Sequence, residues 1–166
     1  MTSSVRRFAD VVPLPWRNGL GRTSELVDDA TAATLTPGHA WWLSIAELDA
    51  PVPFSTFPGL QRTLVPWGGD LWLRVDDGIH HVRAGAPIRF PGDAATVLTR
   101  LERPCHAINL MAVTAAPTLV PLEADERSDA DELVVLGSDG PAGALFDLVR
   151  VPAGTRMPAP GVAIRL

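Results

Sequence analysis

The chain has 166 residues, 46% hydrophobic and 20% charged, which is enough to bury a substantial core in one globular domain and too apolar for a disordered polypeptide. Its net charge of −5 repels phosphate backbones and excludes nucleic acid as a partner, and all fourteen basic residues are arginine, which excludes Schiff-base catalysis, pyridoxal-phosphate attachment and a P-loop lysine. No apolar run approaches the roughly 18 to 20 residues of a membrane helix, and the opening MTSSVRRFADVVPLPW lacks an apolar signal core with a cleavage site, so a soluble cytoplasmic protein without membrane contact is expected.

In chain order, the first feature is PWRNGLGRTSEL at residues 15–26, whose glycines suggest a phosphate-binding loop. A dinucleotide fingerprint needs a buried strand before it and a second parallel strand after it. Pro13 and Pro15 break up the entering strand, and SELVDDATAATLTPG runs into a Pro-Gly turn. The glycines instead give backbone freedom at positive φ, so the loop folds tightly and presents Asn18, Arg22 and Glu25.

The rest reads as all-β, with short Val-, Ile-, Leu- and Trp-rich runs between Gly, Pro and Asp punctuation and no long helical periodicity. WWLSIAEL at 41–48 is a strand, and LWLRV at 71–75 and IHHVR at 79–83 form a hairpin across Asp76-Asp77-Gly78. Further strands are expected at 87–90, 95–101 and 105–113, with Pro91-Gly92-Asp93 turning the chain between the first two. After Ala116 the composition becomes acidic and then yields to ELVVL, LFDLVRV and VAIRL. The expected organisation is a single compact unit over 1–166, with a main barrel over about 1–113, an acidic linker at 114–130, and strands at 131–166 completing a second, partial barrel.

Five blocks in this order also resemble the HutD/Ves family of cupin-like proteins. The Pro-Trp loop resembles that family's Pro-Trp-Lys-Asn-Gly-Gly-Gly opening with a following Thr-x-Glu, with Arg17 in place of the lysine and Leu20 in place of the middle glycine. WWLSIAEL is similar to its Trp-Arg-x-Ser-Ile-Ala strand, Trp42 standing where arginine is usual, and FSTFPGLQRTLV at 54–65 to its Phe-Ser-x-Phe-Pro-Gly-x-x-Arg-Thr-Leu signature. FPGD at 90–93 and INLM at 108–111 match the two later blocks. The resemblance implies a cupin-like jelly-roll barrel with a smaller second half-barrel, a bicupin, often dimeric. It also implies, for HutD proteins, a regulatory role in histidine utilisation through binding of small acidic metabolites such as urocanate or formylglutamate, and for Ves proteins a link to stress.

The residues themselves favour the same kind of site, because a small β-barrel can hold one small ligand between apolar walls and a few convergent polar groups. Arg62 enters an apolar strand after a Pro-Gly turn and can grip a carboxylate through two parallel hydrogen bonds, or else pair structurally with Glu25 or Glu47. Thr63 offers a hydroxyl beside it. Ser44, Asn109 and Met111 lie on runs that can line the cavity, the last two on one face by period two. Asn18 and Glu25 close the rim or cap the loop, and Trp16, Trp42, Trp67 and Trp72 stack on a ligand or join the core.

Catalytic machinery is not evident. His80 and His81 are adjacent, so strand alternation sends them to opposite faces, and His39 and His106 are isolated; no metal or other cofactor is expected. Cys105, the single cysteine, reads as a buried thiol, and no Gly-x-Ser-x-Gly elbow occurs. The expectation is a non-catalytic binder of a small carboxylate, acting as a homodimer. The alternative is a metal-free isomerase or lyase with Glu25 or Glu47 as acid–base group and Arg62 as anion clamp.

Overall fold

A computed structural model describes residues 1–16, 18–157 and 159–166; Arg17, which stands in the position of the family's lysine, lies outside the described residues. The chain first forms β1 (Ser3–Arg6), β2 (Leu14–Pro15), β3 (Arg22–Val27), α1 (Asp29–Leu35) and β4 (Trp41–Leu48). Then come β5 (Val52–Pro53), β6 (Gln61–Trp67), β7 (Leu71–Val75), β8 (Gly78–Val82), β9 (Ile88–Pro91), β10 (Thr96–Leu101) and β11 (Cys105–Ala112). Last are β12 (Thr118–Leu122), β13 (Glu132–Leu136), β14 (Leu148–Val151) and β15 (Gly161–Arg165). Among the described residues no helix is long and apolar enough to cross a membrane.

Two compact units emerge. The larger, Pro13–Ala116, has a six-stranded sheet in the order β2-β3-β4-β11-β6-β9 and a four-stranded sheet in the order β5-β10-β7-β8. All pairings are antiparallel, and alternate residues point inward: Ala46 and Leu48 from β4, Leu64 from β6 and Ala107 from β11 meet Leu71 and Leu73 from β7 and Leu98 from β10. Among the described pairings neither sheet closes on itself, and the two sheets enclose the core between them.

The sequence signals for this unit hold with two differences. The loop of the β7–β8 hairpin is Asp76-Asp77, one residue earlier than the Asp-Gly pair suggests, because Asp76 itself takes the positive φ of 49° and Gly78 already pairs with Val75. The Asp76 carboxylate accepts from Ala95 N at 2.9 Å, which ties the turn to the neighbouring loop. The second difference is α1: Asp28 caps it by accepting from Thr31 N at 2.8 Å.

The smaller unit, Met1–Val12 with Pro117–Leu166, is one five-stranded antiparallel sheet in the order β1-β14-β13-β15-β12. β12 lies within the stretch that its acidic composition marks as linker; Leu119 and Leu122 are buried there, and the strand pairs with β15 from Thr118 to Leu122. Two carboxylates are buried in this unit. Glu132 accepts from Ser128 Oγ at 2.8 Å and Arg165 Nε at 2.6 Å. Asp147 accepts from the backbone N–H groups of Phe8 at 2.8 Å and Ala144 at 3.0 Å, fastening the N-terminal segment beside β14. Asp147→Ala leaves both N–H groups without their acceptor and is expected to lower unfolding stability by about 2 to 3 kcal/mol, measured as the shift of a urea midpoint.

Candidate functional site

The inward face of the six-stranded sheet changes character along its length. Toward the four-stranded sheet it is apolar, but three strand positions in register are polar: Glu25 on β3 lies opposite Ser44 on β4, and Ser44 opposite Asn109 on β11. In the next row Trp42 faces Met111, Met111 faces Arg62 on β6, and Arg62 faces Phe90 on β9. Of these, Glu25, Ser44, Asn109, Trp42, Met111 and Arg62 line one cavity of about 780 Å³, ample for a small metabolite.

Two loops wall it. In the first, Trp16 N donates to Gly21 O at 2.9 Å and Gly19 N to Trp16 O at 2.9 Å, with Gly19 at φ 70°. A Cβ on Gly21 would sit 2.8 Å from the Trp16 ring, so this position is glycine because the indole packs against its backbone. That indole donates to Thr23 Oγ1 at 2.7 Å. The second wall is the segment between β5 and β6. Phe57-Pro58-Gly59-Leu60 turns with Gly59 at φ 81° and Leu60 N donating to Phe57 O at 3.3 Å, the residue order of a type II turn.

Arg62 is the central group. Only 6% of it is exposed, Nη1 donates to Ser55 O at 3.1 Å, and Nε has no hydrogen-bond partner. Its Cζ lies 5.2 Å from the Phe90 ring centre, 5.3 Å from Phe54 and 5.5 Å from Phe57. Among the described residues it forms no ion pair, with Glu25 and Glu47 included. Burial lowers its pKa to about 10, so it remains a cation at neutral pH while largely stripped of water. Asn109, 7% exposed, likewise has an unpaired buried Oδ1. Glu25 lies at the other side of the face, and its pKa is raised by desolvation and by the nearby charges of Asp28 and Asp29.

Seven of the eight residues singled out from sequence, Arg62, Ser44, Asn109, Met111, Asn18, Glu25 and Trp42, line this cavity. Thr63 does not: it follows Arg62 on a strand, so its buried side chain points to the opposite face. Asn18 at the rim also folds its own loop, Oδ1 accepting from Leu20 N at 3.0 Å. Sequence reasoning missed Thr23, Phe54, Phe57 and Leu60 as lining residues. The period-two spacing of Thr23 and Glu25 was available as a signal for the first; the phenylalanines come from a loop whose path no periodicity encodes. Among the described residues no group of three or more His, Cys, Asp or Glu is placed to hold a metal ion. His81 instead bonds Asp70 at 2.8 Å and stacks on Trp72.

Comparison with known proteins adds the following. The family model described as HutD matches residues 8–139. An uncharacterised 21.2 kDa protein in the hutC 3′ region of Pseudomonas putida is 38% identical over 72 residues, 43% of this chain and 37% of that one. Protein Ves of Citrobacter koseri is 32% identical over 100 residues, 57% of this chain and 51% of that one. The chain thus spans about a third to a half of the length of these curated relatives. Among solved structures, HutD from Pseudomonas fluorescens SBW25 superimposes with a TM-score of 0.75 at 24% identity, over 99% of this chain and 97% of that one. A predicted oxalate decarboxylase from Thermotoga maritima shares the cupin-like fold, with a TM-score of 0.54 at 11% identity over 66% of this chain and 99% of that one.

Proposed function

Since the chain belongs to the HutD family, we propose that its cavity is a receptor for a small carboxylate and that binding, without turnover, gives the protein a regulatory role linked to histidine utilisation. The observation that carries this reading is Arg62, a buried guanidinium on the cavity lining, whose Nε has no hydrogen-bond partner and which has no carboxylate partner among the described residues. A desolvated cation without a counterion is costly, and a carboxylate arriving in the cavity supplies both the charge and the acceptors it lacks. The family name and the hutC-region relative support the metabolic context, and urocanate and formylglutamate are the first ligands to test. Isothermal titration calorimetry with each should give saturable heat; no heat from either at millimolar ligand rejects these ligands. The same proposal includes a cytoplasmic homodimer, whose assembly sedimentation velocity measures directly.

The pH dependence follows from the two charged groups. Arg62 keeps its proton up to about pH 10, so it does not alter binding near neutrality. Ionised Glu25 repels an anion, and the groups reinforcing that repulsion are Asp28 and Asp29, since its paired neighbour on β4 is the uncharged Ser44. Protonating Glu25 removes the repulsion. Affinity for a simple carboxylate such as cinnamate is therefore expected to rise as pH falls into the range where Glu25 takes up its proton, a range that desolvation and Asp28 and Asp29 set above that of an ordinary carboxylate, and Glu25→Gln to flatten that rise.

Glu25 also favours a second reading, because a carboxyl group with a raised pKa in a cavity is suited to proton transfer. On that reading the protein is a metal-free isomerase or lyase of small carboxylates. Turnover of a carboxylate panel by purified protein, lost in Glu25→Gln, would establish it; no product under single-turnover conditions would dismiss it.

A further inference from the structure

A strand at the edge of a sheet carries unpaired N–H and C=O groups along one side, and proteins blunt such edges with proline, shortness or a bulge. Among the described strands six lie at sheet edges: β1 and β12, β2 and β9, and β5 and β8. β2 and β5 are two residues long and end in Pro15 and Pro53, β9 ends in Pro91, and β12 contains Pro121. β1 shifts its register between Ser4 and Arg6. β8 alone has none of these devices. It is five residues long, pairs with β7 without a shift from Val82 to Gly78, and leaves Gly78, Ile79, His80 and His81 exposed. Ile79, 74% exposed, offers an apolar side chain to water from this regular edge.

The direction of the free groups follows from the turn. A two-residue loop closes on a hydrogen-bonded pair, here Val75 with Gly78, and bonded and non-bonded pairs then alternate along an antiparallel ladder. Gly78, His80 and Val82 therefore bond toward β7, while Ile79, His81 and Arg83 turn their N–H and C=O groups outward. Ala84 keeps the same alternation, its N–H donating to Asp70 Oδ1 at 2.9 Å on the β7 side. We infer that two copies of the chain join at this edge, β8 against β8, antiparallel about a two-fold axis at His80. The inference rests on the homodimer proposed above and gives it an interface. The occupant is a second copy because the edge is complementary to itself. With the two His80 residues opposite each other, Ile79 faces the partner's His81, both with outward N–H and C=O groups, and each such pair exchanges two backbone hydrogen bonds. Ile79 and His81 share a face by period two, so Ile79 also covers the partner's His81 on the side where that ring stacks on Trp72. At either end Asp77 faces the partner's Arg83; both residues are exposed, and neither forms an ion pair among the described residues. His80 folds back along its own strand, Nε2 lying 3.1 Å from where a Cβ on Gly78 would stand. A contact of this size belongs to the small interfaces, below about 1,200 Å², so reversible association is expected.

Sedimentation velocity over about 5 to 500 µM protein is expected to show a monomer passing to a dimer. Ile79→Lys places a charge on the edge and should weaken the dimer at least about tenfold, with an unchanged circular dichroism spectrum because the side chain it replaces is exposed. Asp77→Arg and Arg83→Asp each set like charges opposite one another at both ends and should weaken it about tenfold at low salt. Mixed in equal amounts, these two variants should dimerise again, since each end then pairs opposite charges; recovery also shows that both are folded. Amide exchange followed by NMR at about 20 and about 500 µM should slow at Ile79 and His81 as the dimer forms, while Gly78, His80 and Val82, already bonded to β7, stay protected at both concentrations. A wild type that remains monomeric at about 500 µM overturns this pairing and the homodimer together. A dimer that Ile79→Lys weakens less than about threefold, or in which Ile79 and His81 exchange equally fast at both concentrations, overturns the β8 contact and leaves the homodimer standing. A mixture no tighter than its separate variants rejects the antiparallel register, and with it the inference.

Discussion

Arg62→Met is expected to abolish carboxylate binding while leaving the protein about as stable as before. The two effects have separate physical origins. Binding depends on charge-assisted hydrogen bonds, each contributing about 1.5 to 3 kcal/mol, so losing a two-pronged grip on a carboxylate costs at least about a hundredfold in affinity. Stability is set by a near balance within the empty cavity. The lowering of the Arg62 pKa to about 10 corresponds to about 3 kcal/mol against the buried charge. Opposing it are three phenylalanine rings within 5.5 Å of Cζ, together contributing about 3 kcal/mol at roughly 1 kcal/mol each. Methionine keeps the length and apolar packing of the arginine stem, so removing charge and cage together leaves a net change within about 1 kcal/mol.

The measurement is a pair of thermal melts. Ligand at about one hundred times its dissociation constant should stabilise the wild type by about 2.7 kcal/mol, a rise of about 5 to 10 °C in Tm for a chain of this size, and should leave Arg62→Met unmoved. An arginine held in a structural ion pair behaves differently, because removing one partner of a buried pair costs about 3 to 5 kcal/mol. A large drop in the ligand-free Tm of Arg62→Met would therefore return Arg62 to the core and end the receptor reading.

Which parts of this site are legible in the sequence follows from the range of the interactions that fix them. Strand alternation is local, so WWLSIAEL already separates the buried Trp41 from the cavity-facing Trp42. The same rule separates Arg62 from Thr63, and applying it there would have removed Thr63 from the site. Register is non-local. Nothing in the spacing of Glu25, Ser44 and Asn109 shows that they share a row, since that depends on how β3, β4 and β11 pair and on the irregularity between Glu25 and Val27. The helix DATAATL spans too few residues to show a period, and its only local signal is the Asp28 cap. β12 escapes notice because the acidic residues that follow it dominate the composition, although Leu119 and Leu122 are as buried as other core positions.

Gly92→Ala is expected to damage the cavity from a position that does not line it. Phe57 N donates to Gly92 O at 2.6 Å, and Gly92 N donates to Leu60 O at 2.7 Å, so this glycine clips the β5–β6 segment to the end of β9. A Cβ there would run into the Phe57 carbonyl oxygen and lie 2.9 Å from that of Leu60. Both obstacles are backbone, which cannot rotate away as a flexible side chain would. The segment must move, taking with it Phe54 and Phe57 of the aromatic cage and the Ser55 carbonyl that accepts from Arg62. Overpacking of this kind costs about 2 to 4 kcal/mol, or about 5 to 15 °C in Tm, and ligand affinity should fall at least about tenfold even at temperatures where the variant stays folded. Gly59→Ala is the control. It lies in the same segment at φ 81° with no atom within 4 Å of the added methyl, so only the left-handed backbone penalty of about 1 to 2 kcal/mol applies and binding should persist. If both variants melt and bind alike, the close approach at Gly92 does not hold the cavity wall; if Gly92→Ala alone loses ligand, the wall is set by that backbone contact and the cage around Arg62 depends on it.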